Sequence, residues 1–186
     1  MKSLFTVHAG EYLVGSHIEH AFPKLEVWLP SRDTGVDFLV TNSSHRRSIS
    51  LQVKFSRDWL VTHMKDVYQP KLRACGWWKF DRSRLAKSQA DYWVLALVGF
   101  QQRSQDYIVL PPKTLLARLE SIHGRVPSFQ SYLWVTIAGR CFETRGLREA
   151  ERLSVASGSF NHAGRNFSQF LNNWACLRTL GAPRDR

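Results

Sequence analysis

Apolar residues recur at helical spacing near the start of the chain. Leu4, Val7, Val14 and Ile18 line up before Pro23, which predicts a helix over residues 4–21 with Glu11 on its apolar stripe. Beyond it the period shortens. "LEVWL" reads as a short strand, "SRDTG" as a turn, "VDFLVT" as a second strand and "NSSHRR" as the next turn. "SISLQVKFS" then alternates cleanly, with Ile49, Leu51, Val53 and Phe55 on one face and Ser50, Gln52, Lys54 and Ser56 on the other. Residues 57–80 lack a clean period and read as a long excursion ending near Trp77 and Trp78, whose rings are expected in the core. "DRSRLAKSQ" predicts a helix N-capped by Asp81, "DYWVLALVGF" a buried strand and "QDYIVLP" its antiparallel neighbour. "PPKTLLARLESIHG" opens on proline and closes on glycine, as a helix does, and "YLWVTIAG" is a further strand. From Asn166 onward, Phe167, Phe170, Leu171, Trp174 and Leu177 predict a closing amphipathic helix. The resulting order, α β β β α β β α β α, is that of an α/β chain.

Composition narrows the class. With 186 residues, 44% of them hydrophobic, the chain can bury one sizeable core, and no repeat or linker divides residues 1–186. The nearest approach to a mobile connection is "SVASGSFNHAGRN". Lys and Arg number 26 against 15 Asp and Glu, a net charge of +11 that suits a polyanion: nucleic acid first, an anionic membrane surface second. The excess lies mostly beyond residue 56, with a basic and aromatic wall from Arg57 to Lys87 that includes Lys79, Arg82 and Arg84 as candidate phosphate contacts. Arg140, Arg145, Arg148 and Arg152 form a candidate second strip.

Three widely spaced cysteines suggest neither a disulfide framework nor a metal clamp, and fit a reducing, cytoplasmic setting. No apolar run is long enough for a signal peptide or a membrane span, so no membrane partner is expected. Acyl transfer and nucleotide hydrolysis lack their motifs. His17 and His20 stand three residues apart without further zinc ligands and are expected to face solvent; Asp33 is expected in a turn and Glu19 at the surface.

The remaining polar residues converge. Glu11 on an apolar stripe should meet something cationic, because an unpaired buried carboxylate is costly. If the second and third strands pair as an antiparallel hairpin, Asp37 shares a face with Gln52 and Lys54. The Asp37 carboxylate, the Gln52 amide oxygen and the Val53 backbone carbonyl are hard oxygen donors suited to Mg²⁺. Lys54 beside such an ion would orient an attacking water and offset phosphate charge.

The D-x14-Q-x-K pattern from Asp37 to Lys54, with the helix "AGEYLVGSHI" upstream and the strands "GVDFLV" and "LQVK", resembles the PD-(D/E)XK nuclease superfamily. The likeness is to its restriction-endonuclease-like and Holliday junction resolvase-like members. It implies a restriction-endonuclease-like αβββαβ core over about residues 5–100, with a mixed central sheet flanked by helices and a C-terminal extension over about 101–186. It further implies that Asp37 is the principal metal ligand, Lys54 the water-positioning lysine and Glu11 the helix acid. The expected protein is a Mg²⁺-dependent DNA endonuclease, with Mn²⁺ as a substitute, no small-molecule cofactor, and a homodimer where two strands are cut. Gln52 stands where the superfamily more often has Glu or Asp. The alternative is therefore a nucleic-acid-binding module on the same fold whose metal site no longer cleaves.

Overall fold

A computed structural model describes residues 8–32, 34–100 and 102–182. In chain order the elements are α1 (Ala9–Ala21), β1 (Leu25–Trp28), β2 (Phe38–Asn42), β3 (Ser48–Arg57), α2 (Leu60–His63), β4 (Leu72–Asp81), α3 (Arg82–Ala86), β5 (Tyr92–Gly99), β6 (Ser104–Leu110), α4 (Pro112–His123), β7 (Ser128–Thr136), β8 (Cys141–Glu143), α5 (Glu149–Ser157) and α6 (Ala175–Gly181). The expected helix start at residues 4–7, and Asp33, lie outside the described residues.

Two sheets organise these elements. One has the order β1-β2-β3-β5-β6 and the other β4-β7-β8. In the larger sheet β3 and β5 run parallel while the other neighbours are antiparallel, so the sheet is mixed. A parallel pair requires a crossover. Here the crossover carries α2, β4 and α3, and β4 belongs to the other sheet.

Each layer of core follows from strand alternation. Leu51 and Val53 of β3, with Val94 and Ala96 of β5, face Val14 and Ile18 of α1 and Leu177 and Leu180 of α6. The opposite face of β5, carrying Trp93, Leu95 and Leu97, packs on Trp78 and Phe80 of β4, Leu133 of β7, and Leu115 and Leu119 of α4. Because β5 is covered on both sides, its sequence reads as an unbroken apolar run. The outer side of the small sheet is covered in part by a third cluster, in which Cys75, Trp134 and Phe142 meet Leu60, Tyr68 and Val155.

Two sequence expectations are corrected. Residues 72–81 are not part of an irregular excursion but a ten-residue strand, β4, paired along most of β7. Its period was hidden because Ala74, Cys75 and Gly76 are all buried and the register shifts between Leu72 and Ala74. The amphipathic helix expected from Asn166 is broken: a 3₁₀ turn covers Ser168–Phe170, and helix resumes only at Ala175. The break is Asn172, with φ +51°, whose amide donates to the Tyr107 carbonyl at 2.6 Å. Its side chain accepts from the Tyr107 amide at 2.8 Å and donates to Asp106 at 3.1 Å. Asparagine tolerates this left-handed conformation, and the three bonds tie the segment to β6.

Candidate functional site

The site begins with a turn. Gly35 has φ +81°, a conformation that strains any side chain with a Cβ, and it turns the chain into β2. Asp37 precedes β2 by one residue, and its amide donates to the Leu51 carbonyl at 2.8 Å. Since Phe38 pairs with Leu51, this bond extends the ladder and sets Asp37 beside Gln52.

The Asp37 carboxylate, on a residue only 6% exposed, then reaches β3. Its Oδ2 accepts the Val53 amide at 2.7 Å and the Gln52 Nε2 at 3.1 Å. The second bond fixes the orientation of the Gln52 amide group and leaves Oε1 on the side of Gly35, 3.6 Å from where a Cβ would stand. A strand residue presents its amide and its carbonyl on the same edge, so the Val53 carbonyl faces the side from which Asp37 approaches.

Glu11 arrives from α1. It is the third residue of the helix, its Oε2 accepts the His8 amide at 3.3 Å in a capping box, and it is 7% exposed. The helix can lie this low because Gly10 rests on Phe55: a Cβ at Gly10 would stand 2.6 Å from the Phe55 Cβ. Lys54, on the same face of β3 as Gln52, holds its ammonium 5.6 Å from the centroid of the Trp93 ring. Trp93 is the parallel partner of Gln52 and donates its indole N–H to Ser88 at 2.8 Å. Cation–π attraction therefore steadies the lysine at the cleft wall.

Glu11, Asp37, Gln52, Val53 and Lys54 line one cleft of about 1340 Å³. Its far wall comes from the end of β4, from α3 and from the segment after it, where Lys79, Arg84 and Lys87 stand. Asp81 lies there too, but its carboxylate is engaged in capping α3 through the Arg84 amide at 2.8 Å. Two of the candidate phosphate contacts stand elsewhere. Arg57 packs over the Trp59 ring at 5.5 Å, and Arg82 pairs with Glu120 at 2.7 Å, neither of them lining the cleft.

Other candidates resolve by packing. Trp78 is buried in the core as expected, whereas Trp77 is 37% exposed. Glu19 and His20 are exposed. His17 does not face solvent: its ring stacks between Tyr107, at 4.9 Å, and Trp174, at 5.0 Å, and burial lowers its pKa. Asp58 was not singled out by sequence. It is a buried clamp that accepts the Leu60 and Cys75 amides, with burial raising its pKa, and it lies outside the cleft lining. Trp93 also escaped sequence reading, since its place beside Lys54 depends on the parallel register of β3 and β5, which no local pattern encodes.

The donor chemistry suits a hard cation. Two carboxylates, an amide oxygen and a backbone carbonyl match Mg²⁺, which binds one or two protein carboxylates and keeps several waters. Among the described residues, no group of three or more His, Cys, Asp and Glu side chains is placed to hold a metal ion. No helix among the described residues is long and apolar enough to cross a membrane. Comparison with protein-family models, with curated proteins and with solved structures found no match.

Proposed function

We propose that this cleft hydrolyses phosphodiester bonds in DNA with Mg²⁺, or Mn²⁺ in its place, in a restriction-endonuclease-like arrangement of the PD-(D/E)XK kind with glutamine at the second acidic position. The observation that carries the reading is the meeting of Glu11, Asp37, Gln52 and Lys54 in one cleft whose opposite wall is basic. The mixed sheet with parallel β3 and β5, flanked by α1, supports the same reading.

Asp37, Glu11, the Gln52 amide oxygen and the Val53 carbonyl would hold the ion. Once bound, it would polarise the phosphate and lower the pKa of an attacking water. Gln52 orients the Asp37 carboxylate through its Nε2 donor. The Lys54 ammonium donates to the attacking water or to a phosphate oxygen and offsets charge that builds in the transition state. Lys79, Arg84 and Lys87 hold the flanking phosphates and make binding weaken as salt rises.

One observation favours a second reading, a binding module without cleavage. Gln52 is neutral, and its amide already engages Asp37, so the site carries less negative charge for a cation than a glutamate would supply. The same experiment decides between them. Supercoiled, linear, single-stranded and branched DNA are incubated with the protein and Mg²⁺ or Mn²⁺, beside Lys54→Ala. Cleavage by the wild type that Lys54→Ala loses supports the nuclease. Equal cleavage by both sinks this mechanism, and salt-sensitive binding without any cleavage supports the module.

A further inference from the structure

A second pocket opens on the outer face of the small sheet. It encloses about 510 Å³, within the range of about 300–1,000 Å³ typical of small-molecule sites. Its walls include Trp59, Trp77, Tyr132, Trp134, Arg145 and Arg152. Trp77 and Tyr132 are direct cross-strand partners on β4 and β7, and they are 37% and 40% exposed. Two large, partly exposed rings on neighbouring strands of one sheet face offer aromatic surface on which a planar ligand can stack.

The charges around this aromatic surface select the ligand. Among the described residues, no carboxylate lines the pocket. Arg145 and Arg152 both line it: an Arg145 N–H donates to the Gln130 carbonyl at 3.3 Å, and the buried Arg152 Nε has no hydrogen-bond partner among the described residues. Glu149, on the same helix, is already engaged by Lys65 at 3.1 Å and by Tyr68 at 2.9 Å. Aromatic walls with acidic residues would suit an organic cation; aromatic walls with two guanidinium groups suit a planar ring joined to an anion.

We propose that this pocket binds a nucleotide, its base stacked on Trp77 and Tyr132 and its phosphate held by Arg145 and Arg152. The ligand can be a free nucleotide or one unstacked from a single strand. Where it belongs to a strand, the path to the cleft is short. Trp77 lines the pocket, Lys79 lines the cleft, and as alternate residues of β4 they lie about 6.6 Å apart along the strand. This last link rests on the hydrolytic reading above, while the pocket stands on its own lining.

The test is made in EDTA, so that no cleavage is required. Binding of a labelled thymidine oligonucleotide of about eight residues, a length within the usual span of single-strand sites, is followed by anisotropy. Deoxyadenosine monophosphate, deoxyadenosine and inorganic phosphate are titrated by calorimetry. Trp77→Ala is expected to weaken binding by about tenfold or more, while Trp77→Phe keeps most of it. Oligonucleotide binding with no binding of the monophosphate assigns the pocket to a strand; equal binding of the monophosphate, but not of the nucleoside or phosphate alone, assigns it to a free nucleotide. If neither probe binds, or if Trp77→Ala melts at the wild-type temperature and binds both probes as the wild type does, the proposal is overturned. Failure of the hydrolytic reading alone would leave this Trp77-dependent binding in place.

Discussion

Asp37→Asn separates two roles that one carboxylate can play. In the folded protein its Oδ2 accepts two hydrogen bonds, from the Val53 amide at 2.7 Å and the Gln52 Nε2 at 3.1 Å. An asparagine can place its carbonyl oxygen at that point, so both bonds survive in shape but lose their charge. A bond to a charged group contributes about 1.5–3 kcal/mol and a neutral one about 0.5–1.5, so the pair should lose about 2 kcal/mol together. For a chain of this size that lowers Tm by about 4–8 °C. A purely structural clamp would stop there, with cleavage unchanged at a temperature where both proteins are folded. A carboxylate that serves the reaction should instead lose about a hundredfold or more in rate at that temperature. The assay pairs thermal melting with single-turnover cleavage of a labelled DNA well below both melting points. A fall in Tm with cleavage kept within tenfold would refute the catalytic assignment of Asp37 and leave it as a tie between β2 and β3.

Gln52→Glu should behave in the opposite sense, because a second negative charge would replace a donor 3.1 Å from Asp37. Without metal the variant should lose about 1–3 kcal/mol, and Mg²⁺ should raise its Tm more than that of the wild type and support cleavage at a lower concentration; an equal thermal response in both proteins would count against the proposed ion site. Gly10→Ala places a Cβ 2.6 Å from that of Phe55, so α1 must shift, at a cost of about 1–3 kcal/mol seen in melting and with a loss of cleavage as Glu11 moves; an unchanged protein would mean that the helix does not rest on Phe55. Burial pushes the Glu143 carboxyl up to about 7 from 4.5, against the pull of Arg165 and of the Arg145 and Tyr132 amides. The folded form therefore holds a proton that the unfolded chain has released, and stability from this group is complete below about 4.5 and falls as pH rises through about 7. Melting curves across that window should show this slope in the wild type and not in Glu143→Gln.

What could be read from the sequence was what local periodicity records. The alternation of "SISLQVKFS" placed Gln52 and Lys54 on one face of β3, and the glycine before "VDFLV" marked the turn that sets Asp37. Asp81 caps α3 and Gly124 ends α4 as their positions imply. What escaped was what depends on partners distant in the chain. The period of β4 is lost because both of its faces are covered near Cys75, and the closing helix breaks at Asn172 because β6 offers it hydrogen bonds. For the same reason the basic residues divide. Lys79, Arg84 and Lys87 reach the cleft while Arg82 turns to Glu120, and this is decided by where α3 meets α4 rather than by the run of charges.

The passage of the β3-to-β5 crossover through the other sheet has a consequence for how the chain can be divided. Among the described residues the strand that pairs with β4 is β7, and the strand on the far side of β5 is β6, both of which come after residue 100. A fragment ending there would bare an unpaired edge on β5 and leave β4 with no ladder at all, the condition under which strands seek other copies of themselves. The second half of the chain is thus a protective edge for the first. The candidate hydrolytic residues, all before residue 55, depend on strands after residue 100 for the pairing that closes the edges of β4 and β5.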